Sequence, residues 1–456
     1  MINYYDNIIL LTCVTLYLNA MNVTSVIASA SVLRKGHCSS DGIIMWKIII
    51  LCTIIGLITT EKATFHNYKV FRITPITTEQ VELLRQLVET DEFSFWKEPT
   101  AVNIEVDLMV APHKLPMFYE IMAQIEAPHS IYVENVQTLI DQTTNANQST
   151  SFNFKDYYTI WQIYENLDDL AKQYPDKVKI IVGGKTYQKR EIKGVKISFK
   201  ANNPGIFIEG GNHGREWISP ATVMYILHQL LISEDPDVRA LAENHDWYIF
   251  PVFNPDGYEY THTTNRMWRK TRDVHGFFCR GSDPNRNWSY KWKSGGSSSF
   301  GCSETYAGKA PFSDVETKSM SEYIKTISNK FYAYISFHSY SQLLMFPYGY
   351  TKAHLENYED SLAIAAKSVR SLKKRYGTEY RIGNIGEILY LASGNTADYI
   401  KGVYHKPIVF VYELRDRGNY GFLLPPEQII PTGEETLDSL VTLFKEAKAL
   451  GYPKDV

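Results

Sequence analysis

The sequence is poor in three features that each define a class of protein. Its 5 cysteines in 456 residues are too few for a disulfide-dense scaffold. No run of 18 or more apolar residues occurs, which excludes a polytopic membrane protein. Neither sign of charge dominates, because 47 basic and 50 acidic residues leave a net charge of -3, so the balance points to neither nucleic acid nor anionic lipid. With 44% hydrophobic and 13% aromatic residues, the chain has the composition of a folded protein.

The first 60 residues are predicted to lie outside the fold. Ile8–Leu18 and Ile48–Ile58 are apolar runs of about eleven residues, which is the length of a signal sequence and too short to span a membrane comfortably. Met45 and Lys47 precede the second run, so we interpret Met45 as the real start and residues 1–60 as signal or N-terminal extension. The alternative is an uncleaved N-terminal anchor, which would give a membrane-anchored surface form.

The distribution of cysteines fits secretion. Cys13, Cys38 and Cys52 fall in the segment assigned to the signal or extension. Cys279 and Cys302 remain, as an even pair that encloses about two dozen residues. In an oxidising compartment this pair is a candidate disulfide.

The rest of the chain divides into a small module, a linker and a large domain. Residues 61–138 show elements in the order β-α-β-β-α-β, which predicts a small ferredoxin-like α+β module. Residues 139–151 are polar without apolar periodicity and are predicted to be a linker. In residues 152–456, strands and helices alternate, which predicts an α/β domain around one buried sheet. The strand candidates are Val178–Val182, Val195–Phe199, Gly205–Glu209, Trp247–Phe253, Phe331–Phe337 and Ile408–Tyr412. The helix candidates are Ile160–Gln173, Pro220–Leu231, Val315–Ser328, Glu359–Tyr376 and Glu434–Ala449.

Residues that carry chemistry follow the ends of several predicted strands. In open α/β sheets, ligands bind beyond the carboxyl ends of the strands. His213 and Glu216 follow one predicted strand, and His338 and Glu413 directly follow two others. Two histidines and one carboxylate with an open fourth position form a common catalytic zinc site. The pattern therefore favours a metal centre at this edge of the sheet.

Taken alone, each of these residues has a structural explanation. A His-x-x-Glu pair arises by chance in exposed loops. A single histidine after an apolar strand, like His338, is usually a core residue whose ring nitrogens are hydrogen-bonded. Glu413 could be an ion-paired structural carboxylate, and Arg269 lies in a basic run that would usually be solvated. The ordered combination of all of them is what favours function.

Seven motifs occur in order along the chain: Gly211-Asn-His213-Gly-Arg-Glu216-Trp-Ile-Ser, Asn254-Pro-Asp-Gly-Tyr, Asn265-Arg-Met-Trp-Arg269-Lys-Thr-Arg, Pro284-Asn285-Arg286-Asn287-Trp, His338-Ser-Tyr-Ser-Gln, Tyr390-Leu-Ala-Ser-Gly and Glu413-Leu-Arg-Asp. As an ordered set they closely resemble the motifs of the zinc metallocarboxypeptidases of the A/B type, in their secreted procarboxypeptidase form. The resemblance runs from about Asn67 to the end of the chain.

The resemblance implies both a fold and a catalytic apparatus. The fold would be carboxypeptidase-like α/β, a mixed eight-stranded twisted sheet flanked by helices, preceded by a ferredoxin-like activation pro-domain. One Zn²⁺ per chain would be held by His213, Glu216 and His338. Glu413 would act as general base and acid on a zinc-activated water, and Arg269 would polarise the scissile carbonyl.

The resemblance also implies a substrate clamp and outer subsites. The clamp on the terminal carboxylate of the substrate would consist of Asn285, Arg286 and Tyr390. A guanidinium matches a carboxylate bidentately, and an internal residue has no carboxylate to offer, so the enzyme would be an exopeptidase. The outer subsites would be lined by Arg215, Tyr340 and Phe422.

Side-chain preference depends on the floor of the specificity pocket. In the resembling enzymes an aspartate at one position selects lysine or arginine. The matching position here is Ala397, seven residues after Tyr390, although Asp398 lies next to it and a one-residue shift would reverse the prediction. The spacing from Ser393-Gly394 favours Ala397. We therefore predict a broad preference for apolar or aromatic C-terminal residues, because the other matching pocket positions are neutral: Gly349, Ile385, Ala392 and Val411.

The expected partners follow from this reading. They are the C-termini of peptides or proteins as substrates, the chain's own pro-domain as an intramolecular inhibitor, and an activating protease. We expect no nucleic acid, a monomer, and secretion to the extracellular space, with the digestive tract lumen suggested by analogy only. The connecting segment departs from the pattern, because Val136 to Asn153 contains no lysine or arginine for tryptic activation. The alternative is a non-catalytic peptide-binding protein on this scaffold, which should have lost a ligand or the base.

Overall fold

Two separate β-sheets organise the computed structural model, which describes residues 62–90, 92–144, 152–275 and 279–453. The predicted signal segment and Met45 lie outside the described residues. From Lys62 onward, the described residues form one compact unit. None of the described helices is long and apolar enough to cross a membrane.

The first sheet belongs to a small N-terminal module. Its elements are β1 (Lys69–Ile73), α1 (Thr78–Thr90), β2 (Ser94–Lys97), β3 (Val106–Val110), α2 (Leu115–Ile125), β4 (His129–Val133) and α3 (Val136–Thr143). The strands pair antiparallel in the order β2-β3-β1-β4, which confirms the predicted β-α-β-β-α-β module. Side chains from β1 and from α1 and α2 form its core, among them Phe71, Leu84 and Phe118.

Helix α3 overlaps the predicted linker. Residues 139–143 were expected to be linker, but they complete this helix, which buries Val136 and Ile140. Its N-cap is Asn135, whose side chain accepts a hydrogen bond from the Gln137 amide at 3.1 Å. The polar composition concealed the helix because only one narrow face is apolar. Residues 145–151 of the predicted linker lie outside the described residues.

Eight strands form the second sheet: β5 (Val178–Lys185), β6 (Glu191–Ile197), β7 (Gly205–Glu209), β8 (Asp246–Phe250), β9 (Phe331–His338), β10 (Leu343–Phe346), β11 (Arg381–Asn384) and β12 (Ile408–Glu413). Their order is β11-β10-β12-β9-β7-β8-β6-β5, and parallel and antiparallel pairs both occur. The mixed eight-stranded sheet of the prediction is therefore confirmed. Strands β10 and β11, at four residues each, were not found from the sequence.

Helices cover both faces of this sheet: α4 (Ile160–Gln173), α5 (Ile218–Ile232), α6 (Pro236–Glu243), α7 (Pro255–Thr263), α8 (Val315–Ile327), α9 (Tyr358–Tyr376), α10 (Ile385–Ile388), α11 (Thr396–Tyr404) and α12 (Ile429–Ala449). Successive strand residues point to opposite faces, so Ile206 and Ile208 join one core cluster and Phe207 joins the other. Helices α4, α5, α9 and α12 contribute to the first cluster, and α8 and α11 contribute to the second.

Helix boundaries follow local sequence signals to different degrees. Helix α4 begins and ends where predicted. Its start is marked by a capping box that Thr159 and Gln162 form. Helix α12 begins at Ile429, earlier than the predicted Glu434. Pro431 lies in its first turn, where the missing N–H group has no helical partner to lose.

Candidate active site

The first two predicted metal ligands lie on the loop that follows β7. Gly211 turns the chain there with a φ of +60°, and a Cβ atom at this position would lie 3.0 Å from the Cα atom of Val252. Glycine accepts this backbone conformation and this close approach. The turn directs the next residues, including His213 and Glu216, back over the carboxyl end of the sheet.

The Ser219 hydroxyl links this loop to strand β9 through hydrogen bonds. Its hydroxyl accepts a hydrogen bond from the Gly211 amide at 2.9 Å and donates one to the Phe337 carbonyl. A serine followed by proline, as in Ser219-Pro220, is typical of a helix N-cap, but helix α5 begins at Ile218 and Ser219 lies inside it. The serine instead keeps the loop next to the strand that ends in His338.

His213, Glu216 and His338 converge at the carboxyl end of the sheet. Nδ1 of His213 lies 2.6 Å from one Glu216 carboxylate oxygen, and Nδ1 of His338 lies 3.1 Å from the other. The two Nδ1 atoms are 3.2 Å apart, and all three side chains are buried. Two imidazole nitrogens and a carboxylate that face one another are a donor set for a divalent transition metal. The residues present therefore fit zinc.

The electrostatics of the triad keep its carboxylate ionised. Burial opposes ionisation of Glu216, but the neighbouring His213 and His338 hold its pKa below the ordinary value. An ionised carboxylate is the form that binds a metal.

Asp283 supports the triad and was missed in the sequence. Its carboxylate lies 3.1 Å from Nε2 of His213, on the side of the ring away from the other ligands. Such a partner orients a metal-binding histidine and fixes its tautomer. Its other oxygen accepts hydrogen bonds from the Arg269 guanidinium at 2.7 and 3.2 Å. Its position directly before the Pro284-Asn285-Arg286 motif was the signal that could have identified it.

Glu413 and Arg269 both lie beside the triad. Glu413 ends β12 and stands in register with His338 on β9. Its burial raises its pKa to about 8, and the positive charge of a bound metal would act in the opposite direction. A guanidinium nitrogen of Arg269 lies 3.7 Å from Glu216, on the side occupied by Asp283. Both side chains line the same cleft as the triad.

The three predicted clamp residues meet in this cleft. Arg286 is fixed by hydrogen bonds from its guanidinium to the carbonyls of Gly296 and Asn285, both at 2.9 Å. Its remaining nitrogen, Nη2, is buried and has no hydrogen-bond partner in the described ranges, which leaves a donor for an anionic group. Tyr390 lies with its ring 5.7 Å from the guanidinium carbon. The Asn285 amide nitrogen lies 3.5 Å from Nε2 of His338.

The predicted outer-subsite residues lie under the small N-terminal module. The Tyr340 hydroxyl donates to the carboxylate of Asp107 at 2.9 Å. The Phe422 ring packs edge-on against Trp96 from the module, with centroids 5.7 Å apart. Arg215 stacks on Phe422 at 4.2 Å. The module therefore covers the mouth of the cleft.

Ala397 and its neighbour Asp398 have different surroundings. Ala397 lines the cleft together with the apolar side chains of Ile385, Ala392 and Val411. Asp398 faces away, because its carboxylate accepts hydrogen bonds from the backbone amides of residues 349 and 350 at 2.8 to 3.0 Å. It is fully buried among these partners.

Gly349 lies behind the pocket wall rather than in its lining. Its carbonyl accepts a hydrogen bond from the Ala392 amide at 2.8 Å. A Cβ atom at this position would lie 2.8 Å from the Asn395 side chain and 3.1 Å from Ile385. The other predicted substrate-binding residues all line the cleft.

The predicted disulfide is confirmed. Cys279 and Cys302 are bonded, with their Cα atoms 4.8 Å apart. The bond closes the loop between them, which includes the clamp residues Asn285 and Arg286. A disulfide is consistent with an oxidising compartment.

The fold and the site define a metal-dependent exopeptidase with a covered cleft, and comparison with known proteins gives the family. The family described as zinc carboxypeptidase matches residues 163–439, and the family described as carboxypeptidase activation peptide matches residues 71–143. The chain therefore belongs to the zinc carboxypeptidase family, as an A-type enzyme with the activation peptide of a self-inhibiting zymogen. His213, Glu216 and His338 are its zinc site.

Several relatives share most of the chain. Zinc carboxypeptidase A 1 of Anopheles gambiae is 46% identical over 410 residues, 88% of this chain and 95% of the relative. A zinc carboxypeptidase of Simulium vittatum is 52% identical over 298 residues, 65% of this chain and 98% of the relative. Carboxypeptidase A of Helicoverpa armigera has a solved structure with a TM-score of 0.78 and 27% identity, covering 86% of this chain and 100% of that chain.

Proposed function

We propose that this enzyme removes neutral apolar or aromatic residues from the C-termini of peptides, as a secreted zymogen. One observation carries this proposal: the buried, partly unpaired guanidinium of Arg286 shares a cleft with the zinc site. A substrate held by its terminal carboxylate at Arg286 would present its last peptide bond to the metal side of the cleft. The same clamp would exclude internal residues, which have no carboxylate.

The proposed chemistry assigns one task to each residue. Bound at the triad, zinc would supply Lewis acidity to the scissile carbonyl and to the attacking water. Glu413 would take a proton from that water and later deliver it to the leaving amine. Arg269 would stabilise the negative charge that develops on the carbonyl oxygen. Asp283 would keep both Arg269 and His213 oriented through the hydrogen bonds described above.

The apolar preference rests on the lining of the pocket around Ala397. An arginine side chain placed there would lose its hydration against Ile385 and Val411 without gaining a partner, because Asp398 is committed to backbone amides. Apolar side chains gain free energy from the same burial. The selectivity among apolar residues should be broad, since one methylene contributes only about 1–3 kcal/mol.

Replacing Ala397 with aspartate tests this specificity proposal. A new carboxylate on the pocket floor should raise the ratio of kcat/KM for arginine over phenylalanine termini by at least about tenfold, because close charge pairs couple by about 1.5 kcal/mol or more. Blocked dipeptides ending in phenylalanine and arginine give the ratio. The Ala397→Asn variant has the same size without the charge and should leave the ratio nearly unchanged. If Ala397→Asp binds zinc and still favours phenylalanine as strongly as the parent, Ala397 does not form the pocket floor.

We propose that Glu98 of the activation peptide contributes to inhibition. It follows strand β2 and lines the same cleft as Arg286, Arg269 and Tyr390. Burial raises the pKa of Glu98, and the positive charges of Arg286 and Arg269 partly offset that effect. A carboxyl group among the clamp residues would occupy the region that the terminal carboxylate of a substrate needs.

The uncleaved full chain with Glu98→Gln should hydrolyse a small blocked dipeptide several-fold faster than the uncleaved parent, mainly through a lower KM. The reason is that the variant removes negative charge from the carboxylate-binding region while the rest of the module stays in place. Glu105→Gln, on the exposed side of the module and paired with Lys97, is the matched control. Equal rates for parent, Glu98→Gln and Glu105→Gln would mean that inhibition depends only on covering the cleft.

A further inference from the structure

A second cluster of metal-binding side chains lies outside the active site. Asp273 and His275 lie on the segment that leads to the disulfide, and Asp314 directly precedes helix α8. One ligand atom from each of these three residues lies within 4.8 Å of the others. This spacing is what a single ion bound by all three would need.

Each carboxylate of the cluster is anchored through one oxygen and presents the other. One oxygen of Asp314 accepts hydrogen bonds from the hydroxyls of Thr271, at 2.9 Å, and Ser282. One oxygen of Asp273 accepts from the amide of Val315 at 3.4 Å. Within the described part of the chain, the second oxygens, Oδ1 in both residues, are buried without a hydrogen-bond partner, and both residues are at least nine-tenths buried. Anchoring of this kind is how supporting hydrogen bonds orient metal ligands.

Both ring nitrogens of His275 are buried, and neither has a hydrogen-bond partner among the residues that the structure describes. Its side chain is only 6% exposed, and Nε2 lies 3.5 Å from the unpartnered oxygen of Asp314. The ring packs edge-on against Tyr306, with centroids 5.3 Å apart. A buried imidazole that makes no hydrogen bond costs free energy unless something else satisfies it.

A third carboxyl group, that of Glu316, crowds the cluster. Glu316 lies close to Asp273, and one of its carboxylate oxygens is buried without a hydrogen-bond partner among the described residues. Within the described part of the chain, no lysine or arginine forms an ion pair with Asp273, Asp314 or Glu316.

We propose that Asp273, His275 and Asp314 form a second, structural site for a divalent transition metal such as zinc. An imidazole ligand favours such a metal over calcium or magnesium, which prefer oxygen ligands. Glu316 or water would supply the fourth position. The ion would tie the start of α8 to the segment that continues through Ser282 to Asp283. It would therefore stabilise the support of the active site without taking part in the reaction.

Metal content of the full chain tests the proposal. The parent, dialysed against zinc and then against metal-free buffer, should retain two zinc ions per chain. His275→Ala should retain one and keep the parent peptidase activity after activation. His338→Ala should also retain one, because it loses the catalytic ion alone. His354→Ala, which removes an exposed histidine paired with Glu387, is the control and should retain two.

Thermal unfolding provides a second readout that does not depend on activity. Added zinc or cobalt should raise the unfolding temperature of His338→Ala, in which only the proposed site remains, and should not raise that of the double variant His275→Ala/His338→Ala. Loss of one ligand should weaken binding at the proposed site by at least about tenfold. One zinc ion per parent chain, or a second ion that persists in His275→Ala, would overturn the proposal. In that case the crowded carboxyl groups share protons instead of a metal.

Discussion

Glu413→Gln is expected to lower kcat by about 10²–10⁴-fold while the zinc stays bound. Glutamine keeps the size of the side chain but cannot take a proton from water or return one to the leaving amine. Glu413 ends β12 beside His338 and is not one of the three metal ligands, so the zinc site should survive. Steady-state rates on a blocked phenylalanine dipeptide and metal analysis of the same sample measure both effects.

The control for this variant is Glu359→Gln, which changes an exposed carboxylate in the first turn of α9. It should leave rate and zinc content unchanged. Retention of more than about a tenth of the parent kcat by Glu413→Gln would show that another group handles the proton. Loss of zinc together with activity would instead mean that Glu413 supports the metal.

Arg286→Ala is expected to lower kcat/KM for substrates with a free terminal carboxylate by about 10²-fold or more. Two hydrogen bonds to a charged group contribute about 1.5–3 kcal/mol each, and each 1.4 kcal/mol is a factor of ten. An amide-terminated substrate never uses this interaction, so its slow hydrolysis should change little. The ratio of free acid to amide should therefore fall sharply, and paired kinetics on the two substrates give that ratio.

Arg286→Lys separates charge from geometry in this prediction. Lysine keeps the positive charge but lacks the planar fork, so it should recover only part of the loss. The variants must also retain the parent unfolding temperature, because Arg286 holds the carbonyls of Gly296 and Asn285. Equal losses on free acid and amide would contradict a role in recognising the carboxylate.

The sequence located the zinc ligands and the neighbouring Glu413 because these residues follow the ends of buried strands. Strands β7, β9 and β12 are buried apolar runs with abrupt polar ends, and the parallel pairing of these strands places those ends at one edge. His213, His338 and Glu413 were therefore identifiable before the sheet order was known. Helix α4 was predicted without error because a capping box and strong periodicity coincide there.

The features that the sequence did not reveal depend on contacts between distant segments. Asp283 is identified by its hydrogen bonds to His213 and Arg269, which lie 70 and 14 residues away. Glu98 reaches the cleft only because the activation peptide packs over it. Strands β10 and β11 are too short to show periodicity, and helix α3 buries one narrow face of a polar segment. In each case the decisive interaction is tertiary.

In the proposed mechanism, a zinc site and a carboxylate clamp act together on C-terminal residues. Its most direct test uses the chain cleaved between activation peptide and enzyme domain, near residue 151. The assay is run with and without a zinc chelator. Its substrates are blocked dipeptides ending in phenylalanine, leucine and arginine, and the amide of the phenylalanine substrate. We predict chelator-sensitive release of phenylalanine and leucine, with little release of arginine and only slow hydrolysis of the amide. Three results would contradict this mechanism. They are release that is insensitive to the chelator, equal hydrolysis of the acid and the amide, and no release by a folded, zinc-loaded enzyme.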